Sequence, residues 1–588
     1  MALRRGITLV LAFLGLAVLA VAGIVVVYLL TMRGPSVPER ATLVLRPGGE
    51  LLEARPDDIV QQVLGRDAVT LRGLIDSLHK ARRDPRITSI LLRPSTLETP
   101  FWGKVQELRD ALIDFRRSGK RVVAYLEYGG DREYYLATAA DQVFLLPTSP
   151  LDLTGVASYE VFLRGALDTL GAYPDFVQIG PYKTAANQLT QRGFTPAHRE
   201  MTESLNRDLY DQLVRGIAEA RQKSVEDVQA LLDQGPFAPD AARRAGLVDG
   251  LAYVDQLDDR VAALKSSDGG AQPLIEGSEY RRIDPRSVGI RPQSRIAILQ
   301  ASGVIVSGRS TYDVVNGPTV GSDTLVEQIQ RIRDDDSIRA IVLRVDSPGG
   351  SSVASDVIWR ELMITRDRTP SRPLVVSMSD LAASGGYYIS MPAHVIVAQP
   401  GTLTGSIGIY GGKIAIGGTM EKLGIETATV QSGRNADMES PFTPFTPEQR
   451  ARLMEYMQVF YRGFVQKAAV SRHTTPERID SIAQGRVWTG QQAHQHGLVD
   501  ALGGLDRAVA IAKQRAGIPE EEDVELVVYP PRRTLYETLA EHFGSSGVTV
   551  WAQLAGDGER RAMAALLAPG RLFRRGEPLA LMPGVFLR

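Results

Sequence analysis

The run Leu74-Ile-Asp-Ser-Leu-His-Lys-Ala-Arg-Arg-Asp-Pro-Arg-Ile-Thr-Ser-Ile-Leu-Leu-Arg93 is answered later in the same chain by Leu325-Val-Glu-Gln-Ile-Gln-Arg-Ile-Arg-Asp-Asp-Asp-Ser-Ile-Arg-Ala-Ile-Val-Leu-Arg344. Outward from this pair, Tyr134-Tyr135 matches Tyr387-Tyr388, Leu153-Thr-Gly155 matches Leu403-Thr-Gly405, and Gly246-Leu-Val-Asp249 matches Gly497-Leu-Val-Asp500. The offset stays between 250 and 253 residues throughout. Self-similarity at so steady a spacing is a duplication.

The matches define a first repeat at 69–265 and a second at 294–520. Residues 33–68 connect the first to an N-terminal apolar run, 266–293 form a turn-rich linker, and 521–588 form a C-terminal tail. Short apolar runs such as Thr42–Leu45, Arg295–Leu299, Ala340–Leu343, Leu374–Val376 and Val395–Val397 read as strands, most of them buried. Amphipathic stretches at 322–334 and 353–366 lie between those of the second repeat, and long helical patterns cover 197–222 and 447–472. Strands of this length alternating with helices imply an α/β fold with largely parallel sheets covered on both faces.

The copies differ where chemistry is carried. The second holds Asp346-Ser-Pro-Gly-Gly350 and Ala382-Ala-Ser-Gly-Gly386, opposite Ser95-Thr-Leu-Glu98 and Gly129-Gly-Asp-Arg132 in the first. Asp131 therefore stands opposite Ser384, while Lys183 of the first copy stands opposite Ala436. Ser384 follows a strand and opens a helix, a placement that projects its hydroxyl beside unpaired backbone N–H groups. Taken alone, Ser-Gly-Gly after a strand fits tight turn packing as well as catalysis. A serine nucleophile needs a base. Six of the seven histidines lie on charged or turn-like stretches and the other, His394, matches Asp141; all are expected at the surface. Lys183 lies among apolar and small residues in Ile179-Gly-Pro-Tyr-Lys-Thr-Ala185, where desolvation would depress its pKa from about 10.4 towards neutrality.

With 67 basic and 68 acidic residues, no electrostatic footprint for nucleic acid is present, and the lack of cysteine excludes disulfides and thiolate chemistry. Arg4-Arg5 precede an uncharged run from Gly6 to Leu30, long enough to span a hydrocarbon core of about 30 Å. Ala20-Val-Ala22 is a permissible signal-peptidase triplet, but the apolar run continues beyond it, so residues 1–32 are expected to be a retained transmembrane helix. The basic residues ahead of it place the body outside the cytoplasm. In the tail, Arg560, Arg561, Arg571, Arg574 and Arg575 interleave with Leu566, Leu567, Leu572 and Phe573, a mixture suited to an anionic membrane surface or to docking on the body.

The stretches Ala382–Tyr388, Leu403–Ile409, Asp346–Gly350 and Gly180–Ala185 together resemble the protease IV (signal peptide peptidase A) family in its long, duplicated form. That resemblance implies tandem Clp-protease/crotonase-like domains and a Ser/Lys-dyad peptidase with no cofactor and no metal. By position, Ser384 resembles the nucleophile, Lys183 the general base and Ser406 the hydroxyl that orients the lysine. Gly349 and Gly385 resemble the oxyanion donors. The resemblance also implies peptide substrates (signal-peptide remnants), a single-pass protein of the bacterial inner membrane, and a homo-oligomer, a tetramer. Two other readings are an acyl-CoA enzyme of the crotonase type and an inactive ring-forming scaffold. A nucleotide-driven protease is disfavoured, because Gly408-Ile-Tyr-Gly-Gly-Lys413 lacks P-loop spacing.

Overall fold

The computed structural model describes residues 36–53, 70–261, 264–265, 270–313, 317–531, 578–582 and 586–587, together with Gly23. The expected anchor, apart from Gly23, and the arginine-rich part of the tail lie outside these residues. Among the described residues no helix is long and apolar enough to cross a membrane.

Each repeat is built on its own parallel sheet with one topology. In the first, the order is Leu274–Glu276, Ala41–Leu45, Ile87–Leu92, Arg121–Leu126, Gln142–Leu145, Gly250–Leu251. In the second, Val524–Tyr529, Ser294–Ser302, Ile338–Ser347, Leu374–Ala383, Val395–Ala398 and Ala501–Leu502 follow in the same order. The duplication thus extends further than the sequence match. Ala41–Leu45 from the connecting segment, Leu274–Glu276 from the linker and Val524–Tyr529 from the tail all belong to the two sheets.

Sequence periodicity explains the covering helices. In Ser322–Asp334, Leu325, Ile329 and Ile332 recur at helical spacing and are buried. Fully burying each such side chain contributes roughly 1.5–3 kcal/mol. The two long helices, Pro196–Arg221 and Pro447–Ser471, start on one signal: the threonine before the proline accepts from a backbone N–H three residues on, and proline occupies the first turn. Met201, Leu205, Leu209, Leu213 and Ile217 form the buried stripe of the first; Leu453, Met457, Phe464 and Ala468 form that of the second.

Two features join the repeats. The strand Tyr173–Gln178 of the first copy leaves its own sheet and pairs antiparallel with Tyr410–Ala415 of the second, extending a third, seven-stranded sheet. The other is a buried ionic seam. Arg344 Nη2 lies 2.7 Å from Glu53 Oε1 and 2.8 Å from Glu107 Oε2, while its Nη1 donates to Ser377 Oγ. Lys104 Nζ lies 2.7 Å from Asp346 and 3.5 Å from Asp380. Burial pushes the Glu53 carboxyl up, but the Arg344 charge and hydrogen bonds outweigh it and bring it down to about 2. Burial keeps Glu107 and Asp346 above the usual carboxylate range. Removing one member of such a set strands a buried charge, which costs about 3–5 kcal/mol. Arg344→Met is therefore expected to lower unfolding stability by that amount in urea titration, and Glu53→Gln by less, because it keeps a hydrogen-bonding side chain beside Arg344.

Candidate active site

Ser384 closes the strand Leu374–Ala383 and precedes the helix Gly385–Ser390. Its backbone is held at φ 56 and ψ −110, a conformation costly for a non-glycine residue and characteristic of a tight strand-to-helix elbow. The turn is secured from behind, since the Ser384 N–H donates to the Gly405 carbonyl at 2.7 Å. Ser406, next along that neighbouring segment, also has positive φ (48), and its N–H donates to Arg486 O at 2.7 Å. Two polar residues held in unfavourable backbone conformations thus face one point.

The third group arrives from the other repeat. Beyond Gln178 the first copy's chain continues along the second, with Ile179 N–H donating to Ile409 O and Tyr182 N–H to Gln484 O. Lys183, fully buried, then follows. Its Nζ lies 2.7 Å from Ser384 Oγ, 2.9 Å from Ser406 Oγ and 3.1 Å from Ser406 O. Among the described residues these three are the polar contacts of the amine, and none is a carboxylate. Burial alone holds its pKa well below the ordinary 10.5. A neutral amine has two N–H groups and one lone pair, matching a carbonyl, a hydroxyl acceptor and a hydroxyl donor.

Glycines make this approach possible. A methyl group built on Gly485 (φ +85) would stand 2.4 Å from Lys183 N, Cα and Cβ, and one on Gly408 would stand 3.1 Å from Lys183 Cδ. Both glycines belong to the second copy, so its backbone is the mould for the first copy's lysine.

Gly349 and Gly385 are brought together: a methyl group on Gly349 would stand 2.7 Å from Gly385 N. The Gly349 N–H itself turns back to Ser347 Oγ at 3.2 Å. Gly350, one residue on, is a further candidate donor that the sequence reading did not single out. Its strand Gly349–Ser351 forms one wall of a slot whose other wall is Tyr410–Ala415. The signal was present in the doubled glycine, but which N–H faces the slot depends on strand register.

Among the described residues the histidines stand apart from this site. His198, expected at the surface, is instead fully buried, because its Nε2 pairs with Glu160 at 2.9 Å and its ring packs on Phe162 and Phe194. His79 pairs with Asp506, and His394 with the backbone of Leu374; His542 lies outside the described residues. Asp131, opposite Ser384 in the first copy, accepts from Thr154 N and Gly155 N, and burial raises its carboxyl to about 6.

A serine hydroxyl against a desolvated amine, on α/β domains with a strand-lined slot, is an arrangement suited to a serine hydrolase. The chain belongs to peptidase family S49, whose profile it matches twice, over residues 114–268 and 366–519. It is 34% identical over 520 residues to the chloroplastic serine protease SPPA of Arabidopsis thaliana, covering 87% of this chain and 76% of that one. It is 34% identical over 464 residues to Protease 4 of Salmonella typhi, covering 77% and 73%. It is 31% identical over 232 residues to a putative signal peptide peptidase SppA of Enterococcus faecium, covering 39% and 66%. Family membership sets aside the acyl-CoA and scaffold readings: the protein is a serine peptidase.

Gly485→Ala is expected to displace Lys183 and lower kcat about 100-fold or more while the protein still folds, because a shift of about 1 Å in a reacting group costs that much. A lysine with a depressed folded pKa means that the unfolded chain binds more protons between that pKa and 10.5, so its contribution to stability rises with pH across that window. The stability of Lys183→Met relative to the parent should therefore improve as pH falls from 10 to 7. Paired thermal melts across that range measure it.

Proposed function

We propose that Ser384 is the nucleophile, Lys183 the general base and Ser406 the hydroxyl that orients the lysine in hydrolysis of peptide bonds. The observation that carries this reading is the 2.7 Å approach of a fully buried, charge-unpaired Lys183 Nζ to Ser384 Oγ. Ser384 gives its proton to the neutral amine as Oγ attacks the substrate carbonyl carbon. Backbone N–H groups at Gly350 and Gly385 receive the oxyanion, and the bare Cα of Gly349 leaves room for it. Each donor of this kind contributes on the order of 3–4 kcal/mol to the barrier reduction. The lysine then protonates the leaving amine and afterwards takes a proton from the water that opens the acyl-enzyme ester.

The slot between Gly349–Ser351 and Tyr410–Ala415 is one strand wide, and a substrate there pairs with both walls as an added β-strand. Folded proteins cannot present such a segment without local unfolding. This geometry favours extended apolar peptides, and the Enterococcus faecium relative is named for signal peptides. We therefore read the physiological substrates as signal-peptide remnants left in the membrane after secretion, together with misfolded membrane or secreted chains of the same apolar character. Residues 1–32 serve as a single-pass anchor in a bacterial inner membrane, with the body outside the cytoplasm. Both repeats are of the Clp-protease/crotonase type and assemble as a homotetramer.

Ser384→Ala and Lys183→Ala should each lower turnover of a fluorogenic peptide by about 1,000-fold or more, with the double variant no worse, since members of one catalytic unit are not additive. Near-normal activity in Lys183→Ala would overturn the base assignment. Activity of the parent should rise with pH as the lysine deprotonates, at a pH well below 10.5. A protein lacking residues 1–32 should digest denatured substrates and spare their folded counterparts on a gel; equal cleavage of both would contradict the slot.

A further inference from the structure

The slot is filled. Leu579–Leu581, from the C-terminal tail, lies between its two walls, pairing antiparallel with Gly349–Ser351 on one side and with Tyr410 on the other. This is the position that an added substrate strand would take. The register is Gly349 with Leu581, Gly350 with Ala580 and Ser351 with Leu579. One residue further, Met582 N–H donates to Pro348 O at 2.8 Å. Hydrogen-bonded and non-bonded pairs alternate along an antiparallel ladder, so Gly350 and Ala580 form the next bonded pair. The Gly350 N–H therefore faces the Ala580 carbonyl.

That carbonyl oxygen sits at the oxyanion position. A methyl group built on Gly349 would stand 2.0 Å from Ala580 O, and one on Gly385 would stand 3.2 Å from it. The side chains fit the same placement. Ala580 is fully buried, so a much larger side chain there would have to displace its packed neighbours. Leu579 packs with Ala186 and Tyr410, and Leu581 lies against the same cluster, beside the segment that carries Lys183. Past the slot, Phe586–Leu587 pairs with Ser158–Tyr159 of the first repeat, so the backbone is held on both sides of residue 581.

We infer that the tail is an internal substrate and that the enzyme cuts its own Ala580–Leu581 bond in cis. The inference rests on the dyad reading above. Ser384 Oγ would add to the Ala580 carbonyl carbon while its proton passes to Lys183. The Ala580–Leu581 C–N bond breaks, and the Leu581 amine takes that proton and leaves as the peptide Leu581–Arg588. Water then hydrolyses the Ala580–Ser384 ester, giving one proton to Lys183, which returns it to Ser384 Oγ. The chain then ends at an Ala580 carboxylate. The same register assigns specificity: a small residue on the acyl side of the scissile bond, with leucine-sized residues on either side of it.

The test is the intact mass of the full chain, with turnover of a fluorogenic peptide measured on the same preparations. Wild-type protein is expected to lose Leu581–Arg588, at a rate unchanged on tenfold dilution, and Ser384→Ala to keep its C-terminus even when mixed with active enzyme. Ala580→Trp, too large for the buried site, should keep the tail uncut while still hydrolysing the peptide. An active wild-type enzyme with an intact C-terminus overturns self-cleavage and leaves the dyad reading standing. Truncation at Ala580 in Ser384→Ala alone in solution also overturns it, and trimming of Ser384→Ala by added enzyme overturns the cis assignment. Neither turnover nor truncation in the wild type overturns both readings together.

Discussion

Everything at the site depends on one strand crossing between repeats. Tyr173–Gln178 belongs by sequence to the first copy and by hydrogen bonding to the second, where it pairs in register from Tyr173 opposite Ala415 to Gln178 opposite Tyr410. That register continues through Ile179 to Ile409 and sets how far along the second copy Lys183 arrives. A slip of one residue would turn the following side chains to the opposite face. Asp175 reinforces the crossing: it accepts from Phe445 N–H at 2.7 Å and pairs with Arg450 at the start of the second long helix.

The ionic seam fixes the other half of the site. Lys104, on the first copy's helix Gly103–Arg116, holds Asp346 at the head of the Ser347-Pro348-Gly349 turn, and Asp380 holds the Lys104 and Thr99 segment in return. Four buried carboxylates against two cations are poor material for net stability, since desolvation offsets most of the Coulombic gain. Their strength is geometric. Each charge has a partner only when the two copies sit in one relative position, and in that position the glycine turn stands beside the Ser384 elbow.

The asymmetry between the two copies was legible in the sequence because duplication supplies its own internal control. Ser384 opposite Asp131 and Lys183 opposite Ala436 stand out against a matched background. The α/β class with parallel sheets followed from periodicity and from the regular alternation of elements; the strand order came only with the structure. What could not be read was whatever depends on long-range pairing. Nothing local in Tyr173–Gln178 says which sheet it joins. His198 looked like a surface residue because Glu160 and Phe162, which make its burial tolerable, lie more than thirty residues away. Leu579–Leu581 is too short to register as a strand without the two edges that flank it.

Fusing the two copies has a kinetic consequence. Where lysine and serine reside on separate chains, the fraction of complete sites falls as protein becomes scarce. Here both lie on one polypeptide, so their encounter is unimolecular, with an effective concentration set by the 266–293 connection rather than by expression level. A sparse population of molecules therefore keeps every site whole. The same linkage lets the two copies differ in sequence, and Asp131 and Ala436 mark positions where they do.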